Sequence, residues 1–166
     1  MPEELSSTLE DYLAAIYRIE DEKKVARPRD ISKAQNVARS TVTAALQRLA
    51  ERDLINYEPY ELITLTEKGR KQAKALVARH RIISDFLENI LGVPEESTEE
   101  TTCGMEHAID PEVLERFVCF LAFMRRYSLT SSQLLKDFRK FAEKGAKGQI
   151  CRKCVEEYMG ELGLAP

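Results

Sequence analysis

Arg27-Pro28-Arg29-Asp30-Ile31-Ser32 opens a short helix, and beyond Gln35-Asn36 the run Arg39-Ser40-Thr41-Val42-Thr43 opens another, with Leu46 and Leu49 continuing its buried stripe. Pro28 stands where its missing N–H costs little. Two short helices joined tightly, the second led by a basic residue and small hydroxylated ones, form a helix-turn-helix pattern. Ser40, Thr41 and Thr43 are short enough to let a helix approach base edges or phosphates, and Arg39 and Arg48 can neutralise phosphate charge. From Lys24 to Arg52 seven basic side chains (Lys24, Arg27, Arg29, Lys33, Arg39, Arg48 and Arg52) face only Asp30 and Glu51. A net charge of −3 over 166 residues argues against a protein that coats nucleic acid indiscriminately, so a DNA-binding surface must be confined, and this segment supplies it. The alternative for the same segment is a solvated helical pair within a larger bundle.

On the N-terminal side, Leu9, Tyr12, Leu13, Ile16 and Ile19 recur at helical spacing, with Ser6, Ser7 and Thr8 as candidate caps. The reading places Asp11 in the first turn, where a carboxylate ordinarily serves the helix dipole. On the C-terminal side, Leu54-Ile55-Asn56-Tyr57 and Glu61-Leu62-Ile63-Thr64-Leu65 flank Glu58-Pro59-Tyr60, two β-prone runs about a turn. A hairpin after a recognition helix is a wing, and it puts Tyr60 at the tip. Thr66-Glu67-Lys68-Gly69-Arg70 then starts a long helix ending near Gly92-Val93-Pro94. His80 lies on or beside its apolar stripe, where a histidine is more often a satisfied core residue than a ligand.

Past an acidic stretch from Pro94 to Glu100 comes Cys103-Gly104-Met105-Glu106-His107, with Thr101 or Thr102 as a cap. Positions i, i+3 and i+4 share a helix face, so a thiolate, a carboxylate and an imidazole from Cys103, Glu106 and His107 converge on one volume. Sulfur, nitrogen and oxygen together suit Fe(II), Mn(II), Co(II) or Zn(II) better than Ca(II) or Mg(II). The plainer reading is a helix start with a buried cysteine. Asp110-Pro111-Glu112 begins the next helix, whose Val113, Leu114, Phe117, Val118, Leu121 and Phe123 make a broad apolar surface. That surface needs a partner: a twofold copy of the chain is the simplest, and burial within the monomer is the alternative. The tail alternates helical signals (Leu134, Leu135, Phe138, Phe141) with breaks at Gly145 and Gly148, then carries Cys151 and Cys154.

No apolar run approaches the roughly 18 residues a membrane span requires, and Met1-Pro2-Glu3-Glu4 lacks the features of a signal peptide. A cytoplasmic protein with reduced thiols is expected, four cysteines notwithstanding. The fold class that follows is mainly α: a winged helix-turn-helix domain over residues 1–74 with a small hairpin wing, then an all-helical domain over residues 75–166.

The combination of Glu10-Asp11-Tyr12, Leu62-Ile63-Thr64-Leu65-Thr66-Glu67-Lys68-Gly69, Arg79-His80-Arg81 and Glu106-His107 followed by Asp110-Pro111-Glu112 resembles the diphtheria toxin repressor family of iron- and manganese-dependent transcriptional regulators, in its short, two-domain form. The resemblance covers about residues 7 to 125. It implies a homodimer that binds a divalent metal, then a palindromic double-stranded operator, and represses metal-uptake genes. It also implies that Asp11 joins Cys103, Glu106 and His107 as a primary ligand, that His80 is a ligand, and that Glu99, at the position of an ancillary histidine, contributes oxygen. Asp11 resembles the manganese-responsive branch and Cys103 the iron-responsive one. Ala14 and Ser84 stand where those branches supply further carboxylates, so one well-formed site per subunit is expected. A thiolate within a higher-coordinate mixed set favours Fe(II), with Mn(II), Co(II) and Zn(II) as alternatives.

Arg27, Arg29, Arg39, Ser40, Thr41, Thr43, Arg48 and Tyr60 are the DNA-facing candidates. Two rival functions remain at this point. One is a metal-independent winged-helix regulator sensing oxidation through Cys103 or the Cys151/Cys154 pair. The other, a small metallohydrolase, leaves the wing unexplained and lacks a visible general base or pocket for a small-molecule substrate, so no enzyme is expected.

Overall fold

The computed structural model describes residues 5–57, 62–129, 132–147 and 157–158. Tyr60, expected at the wing turn, and the Cys151/Cys154 pair lie outside the described residues, as does Gly148. The chain divides into two compact units, Met1–Arg81 and Ile82–Pro166, the division falling inside one long helix.

In the first unit α1 spans Ser7–Lys23, α2 Pro28–Ala34 and α3 Arg39–Glu51. The expected stripe of α1 is buried in full: Leu9, Tyr12, Leu13, Ile16 and Ile19 pack with Ile31 of α2 and Val42, Leu46 and Leu49 of α3. Asp11 falls one turn beyond the helix start, since α1 begins at Ser7 and carries Glu10 in its first turn. The dipole therefore does not account for Asp11. The α2–α3 turn is closed locally. Asn36 takes a left-handed conformation (φ 51°) that asparagine tolerates, while Val37 N–H donates to Ser32 O at 3.1 Å and Ser32 Oγ to Val37 O at 2.6 Å.

The wing strands, β1 (Ile55–Asn56) and β2 (Thr64–Leu65), pair antiparallel with Ile55 opposite Leu65 and Asn56 opposite Thr64. Ala26, after α1, adds a bridge to Ile63 through both backbone bonds (3.0 and 2.9 Å). Helix α4 follows over Glu67–Phe86. Thr66 caps it, its Oγ1 accepting from Gly69 N–H at 3.0 Å while donating to Asp53 O at 2.8 Å. Glu20, 8% exposed, accepts from Leu65 N–H at 3.3 Å and Arg70 Nη2 at 2.6 Å. A buried carboxylate so paired ties α1, the wing and α4 together.

In the second unit the long helix widens into a single π-type turn over Leu87–Leu91 and stops at Gly92, whose φ of 74° suits glycine. Helix α5 runs over Glu95–Glu106, α6 over Pro111–Arg126 and α7 over Gln133–Lys147. Asp110 caps α6, Oδ1 accepting from Glu112 N–H at 2.8 Å, with Pro111 at the first position. Helix α5 starts two turns earlier than the sequence suggests. Pro94 is its cap residue, Glu95 and Glu96 favour its positive end, and Thr101 and Thr102 lie inside it rather than capping it. Helix α7 likewise runs through Gly145 instead of breaking there.

Ile90, Leu121, Met124 and Leu135 form the core of this unit, with Ile82, Phe86 and Leu129 packed against it. The rings of Phe86 and Phe117 meet at a tilt of 59° with centroids 4.5 Å apart, and Arg125 donates to Asp85 at 2.7 Å. Of the broad α6 surface only Leu121 and Met124 are buried. Val113, Val118, Phe120, Phe123 and Tyr127 remain exposed within the chain.

Candidate metal centre and DNA-binding surface

Cys103 and Glu106 occupy the last turn of α5, and His107 is the residue that ends it, still in a right-handed helical conformation (φ −84°, ψ −18°). The i, i+3, i+4 relationship therefore survives to the helix end, and one donor atom from each of Cys103, Glu106 and His107 lies within 4.8 Å of the others. Donors sharing one ion at bonds of about 2.0 to 2.3 Å are separated by at most about 4.6 Å, so the three lie near the reach of one cation. Glu106 Oε1 and His107 Nε2 are 3.8 Å apart, and their side chains keep 14% and 23% exposure. Cys103 is exposed, against the plainer expectation of a buried helix-start cysteine. The negative end of the α5 dipole adds to the attraction for a cation at this place.

The other metal candidates are distributed as follows. Asp11 is half-buried on α1 in the first unit, its backbone carbonyl accepting from Gln35 Nε2 at 3.3 Å. His80 is half-buried on α4, also within the first unit. Glu99 is exposed on α5, one turn before Cys103, and does not belong to the close donor group among the described residues. Ser84 is half-buried on α4, and its Oγ lies 3.2 Å from Oγ1 of Thr102, which has no exposure.

On the DNA side, Arg27, Arg29, Arg39, Ser40, Thr41, Thr43 and Arg48 are all exposed. For Arg39, Ser40, Thr41, Thr43 and Arg48 this follows from α3 burying Val42, Ala45, Leu46 and Leu49 and so turning the intervening residues outward. Thr43 Oγ1 donates back to Arg39 O at 3.1 Å, which keeps its lone pairs outward. Gln47 shares the exposed face, seven residues after Ser40, and the sequence reading passes over it; that i, i+7 spacing was the available signal.

Fold and donor set together describe a winged helix-turn-helix protein with a candidate metal site. Comparison with known proteins agrees. Residues 4–62 match the iron dependent repressor N-terminal DNA binding domain, and residues 66–129 match the iron dependent repressor metal binding and dimerisation domain. An HTH-type transcriptional regulator of Methanocaldococcus jannaschii is 38% identical over 118 residues, covering 70% of this chain and 94% of that protein. The HTH-type transcriptional regulator MntR of Geobacillus kaustophilus is 33% identical over 138 residues, covering 83% and 96%. A solved manganese-dependent transcriptional repressor in complex with manganese superposes with a TM-score of 0.63 at 28% identity, covering 69% of this chain and 53% of that one. The chain thus spans about half the length of that solved structure. It belongs to the iron-dependent, or diphtheria toxin repressor, family of metal-dependent DNA-binding transcriptional regulators. That membership supports metal dependence rather than thiol oxidation as the signal. Among the described residues no helix is long and apolar enough to cross a membrane.

Proposed function

We propose that this chain is a repressor activated by Fe(II), acting as a cytoplasmic homodimer on a palindromic operator that controls metal uptake. The observation that carries the reading is the pre-assembled Cys103, Glu106 and His107 donor group at the end of α5, within the segment that matches a metal-binding domain. Asp11 supplies the fourth protein ligand. In its favour are its position past the first turn of α1, where the dipole gives it no role, and its half-buried setting. His80 on α4 and Glu99 on α5 are candidate donors outside this single tight site. The thiolate of Cys103 favours Fe(II), Co(II) or Zn(II) over Mn(II), and a hydrated set of more than four ligands favours Fe(II) over Zn(II).

A bound cation would be held by residues of both units at once. Asp11 belongs to the DNA-binding unit and Cys103, Glu106 and His107 to the helical one, so tight binding selects the arrangement in which they meet. In a dimer that arrangement sets the spacing of two recognition helices against half-sites a helical turn, or a multiple of it, apart. The exposed Phe120 and Phe123 of α6, with Tyr127 at its C-terminal end, supply an apolar surface for the second copy to cover. Arg27, Arg29, Arg39 and Arg48 hold phosphates, and Ser40, Thr41, Thr43 and Gln47 face the bases.

Anaerobic fluorescence anisotropy on DNA from the protein's own promoter region, at fixed salt, tests the reading. Binding should appear with Fe(II) and vanish with chelator. Binding that ignores both and follows peroxide would replace it with the thiol-sensing alternative.

A further inference from the structure

We propose that the hydroxyl pair of Ser84 and Thr102 positions the metal-binding end of α5, an inference that rests on the ligand assignment just made. Helix α5 seats itself on two fully buried threonines, Thr98 and Thr102, where aliphatic residues would give a larger apolar contact. Thr98 Oγ1 donates to Pro94 O at 3.1 Å and Thr101 Oγ1 to Ser97 O at 2.8 Å, the back-bonding within a helix that threonine commonly adopts. Thr102 does something different: its Oγ1 lies 3.2 Å from Oγ of Ser84, across on α4.

Apolar burial is non-directional and would leave α5 free to rotate or slide by small amounts. A buried hydroxyl pair is directional, unlike the apolar contacts around it. The contact therefore fixes the rotation of α5 about its axis at residue 102. Cys103 follows by one residue, about 100° around the helix. Glu106 follows by four and lies one turn further along the same side. Holding Thr102 thus sets where both donors point, in the way that outer hydrogen bonds orient metal ligands elsewhere. The tether is neutral, so it orients the donors without competing for the cation.

The test is anaerobic Co(II) titration of the full chain, followed by the thiolate-to-cobalt charge-transfer band and the d–d bands, beside thermal unfolding of the metal-free protein. Thr102→Val, which keeps shape and removes the hydroxyl, and Ser84→Ala should each weaken Co(II) binding by about 10- to 100-fold and alter the d–d envelope. Thr102→Ser should restore the parent affinity and spectrum, and the double variant should be no weaker than either single one. Should Thr102→Val not fold, Ser84→Ala at the half-buried partner carries the same comparison. Parent affinity and spectrum in both single variants would overturn the inference. So would a loss that tracks the unfolding midpoint and is not repaired by Thr102→Ser, since that is packing alone. A parent protein without a thiolate-to-cobalt band would overturn the ligand assignment, and the inference with it.

Discussion

A β-carbon on Gly69 would lie 1.8 Å from the carbonyl oxygen of Leu54. The backbone of α4 therefore closes onto the residue that leads into the wing, an approach only glycine allows. The same corner is held by Thr66 N–H donating to Leu54 O at 3.1 Å and by the Thr66 cap on Gly69.

Gly69→Ala must push one backbone segment off the other, and rigid neighbours make this an overpacked site. The expected cost is about 3 kcal/mol, the upper end for such changes, read as a shift in the urea midpoint of unfolding. Operator binding should fall with it. A variant as stable as the parent would mean that the wing and α4 are not locked together here.

Asp11→Ala should leave both units folded, because the side chain belongs to no part of the buried core. It should abolish the metal dependence of DNA binding while circular dichroism and the unfolding midpoint stay near the parent values. If the variant still responded to Fe(II) like the parent, coupling through Asp11 would be wrong.

Saturation with Fe(II) or Co(II) under equilibrium dialysis should load about one tightly bound ion per chain, the number that a single mixed donor set holds. Ser84, bonded to Thr102, offers no carboxylate for a second ion. Two tightly held ions per chain would show that His80 and Glu99 complete a second site.

Arg48→Ala should weaken binding to specific and nonspecific DNA alike and lower the salt slope by about 0.9, as expected when one phosphate is no longer neutralised. Gln47→Ala should instead relax sequence preference with the salt slope unchanged. Equal effects on all sequences from both variants would remove Gln47 from base readout.

Much of this was legible beforehand because period and spacing carry it. Leu9 through Ile19 give α1 its buried face, and Cys103, Glu106 and His107 keep their helical spacing through to the end of α5. The start of α5 was not legible. Glu95 to Thr102 is polar and rich in β-branched threonine, which reads as a loop, whereas Thr98 and Thr101 satisfy their hydroxyls on carbonyls four residues back. The Ser84–Thr102 contact was equally hidden: partners 18 residues apart on different helices leave no local pattern. Gly69 appeared in the sequence as part of a wing signature, and only the approach of Leu54 gives the physical reason for it.

The central claim, that one cation links the state of the donor set to the grip on DNA, is reciprocal by thermodynamic necessity. The most direct test is to titrate Fe(II), anaerobically and at fixed salt, into the protein alone and into the protein mixed with saturating operator. The account predicts tighter metal binding in the complex, by the factor by which metal tightens DNA binding, about 5- to 150-fold for typical couplings. Equal metal affinity with and without operator would contradict it.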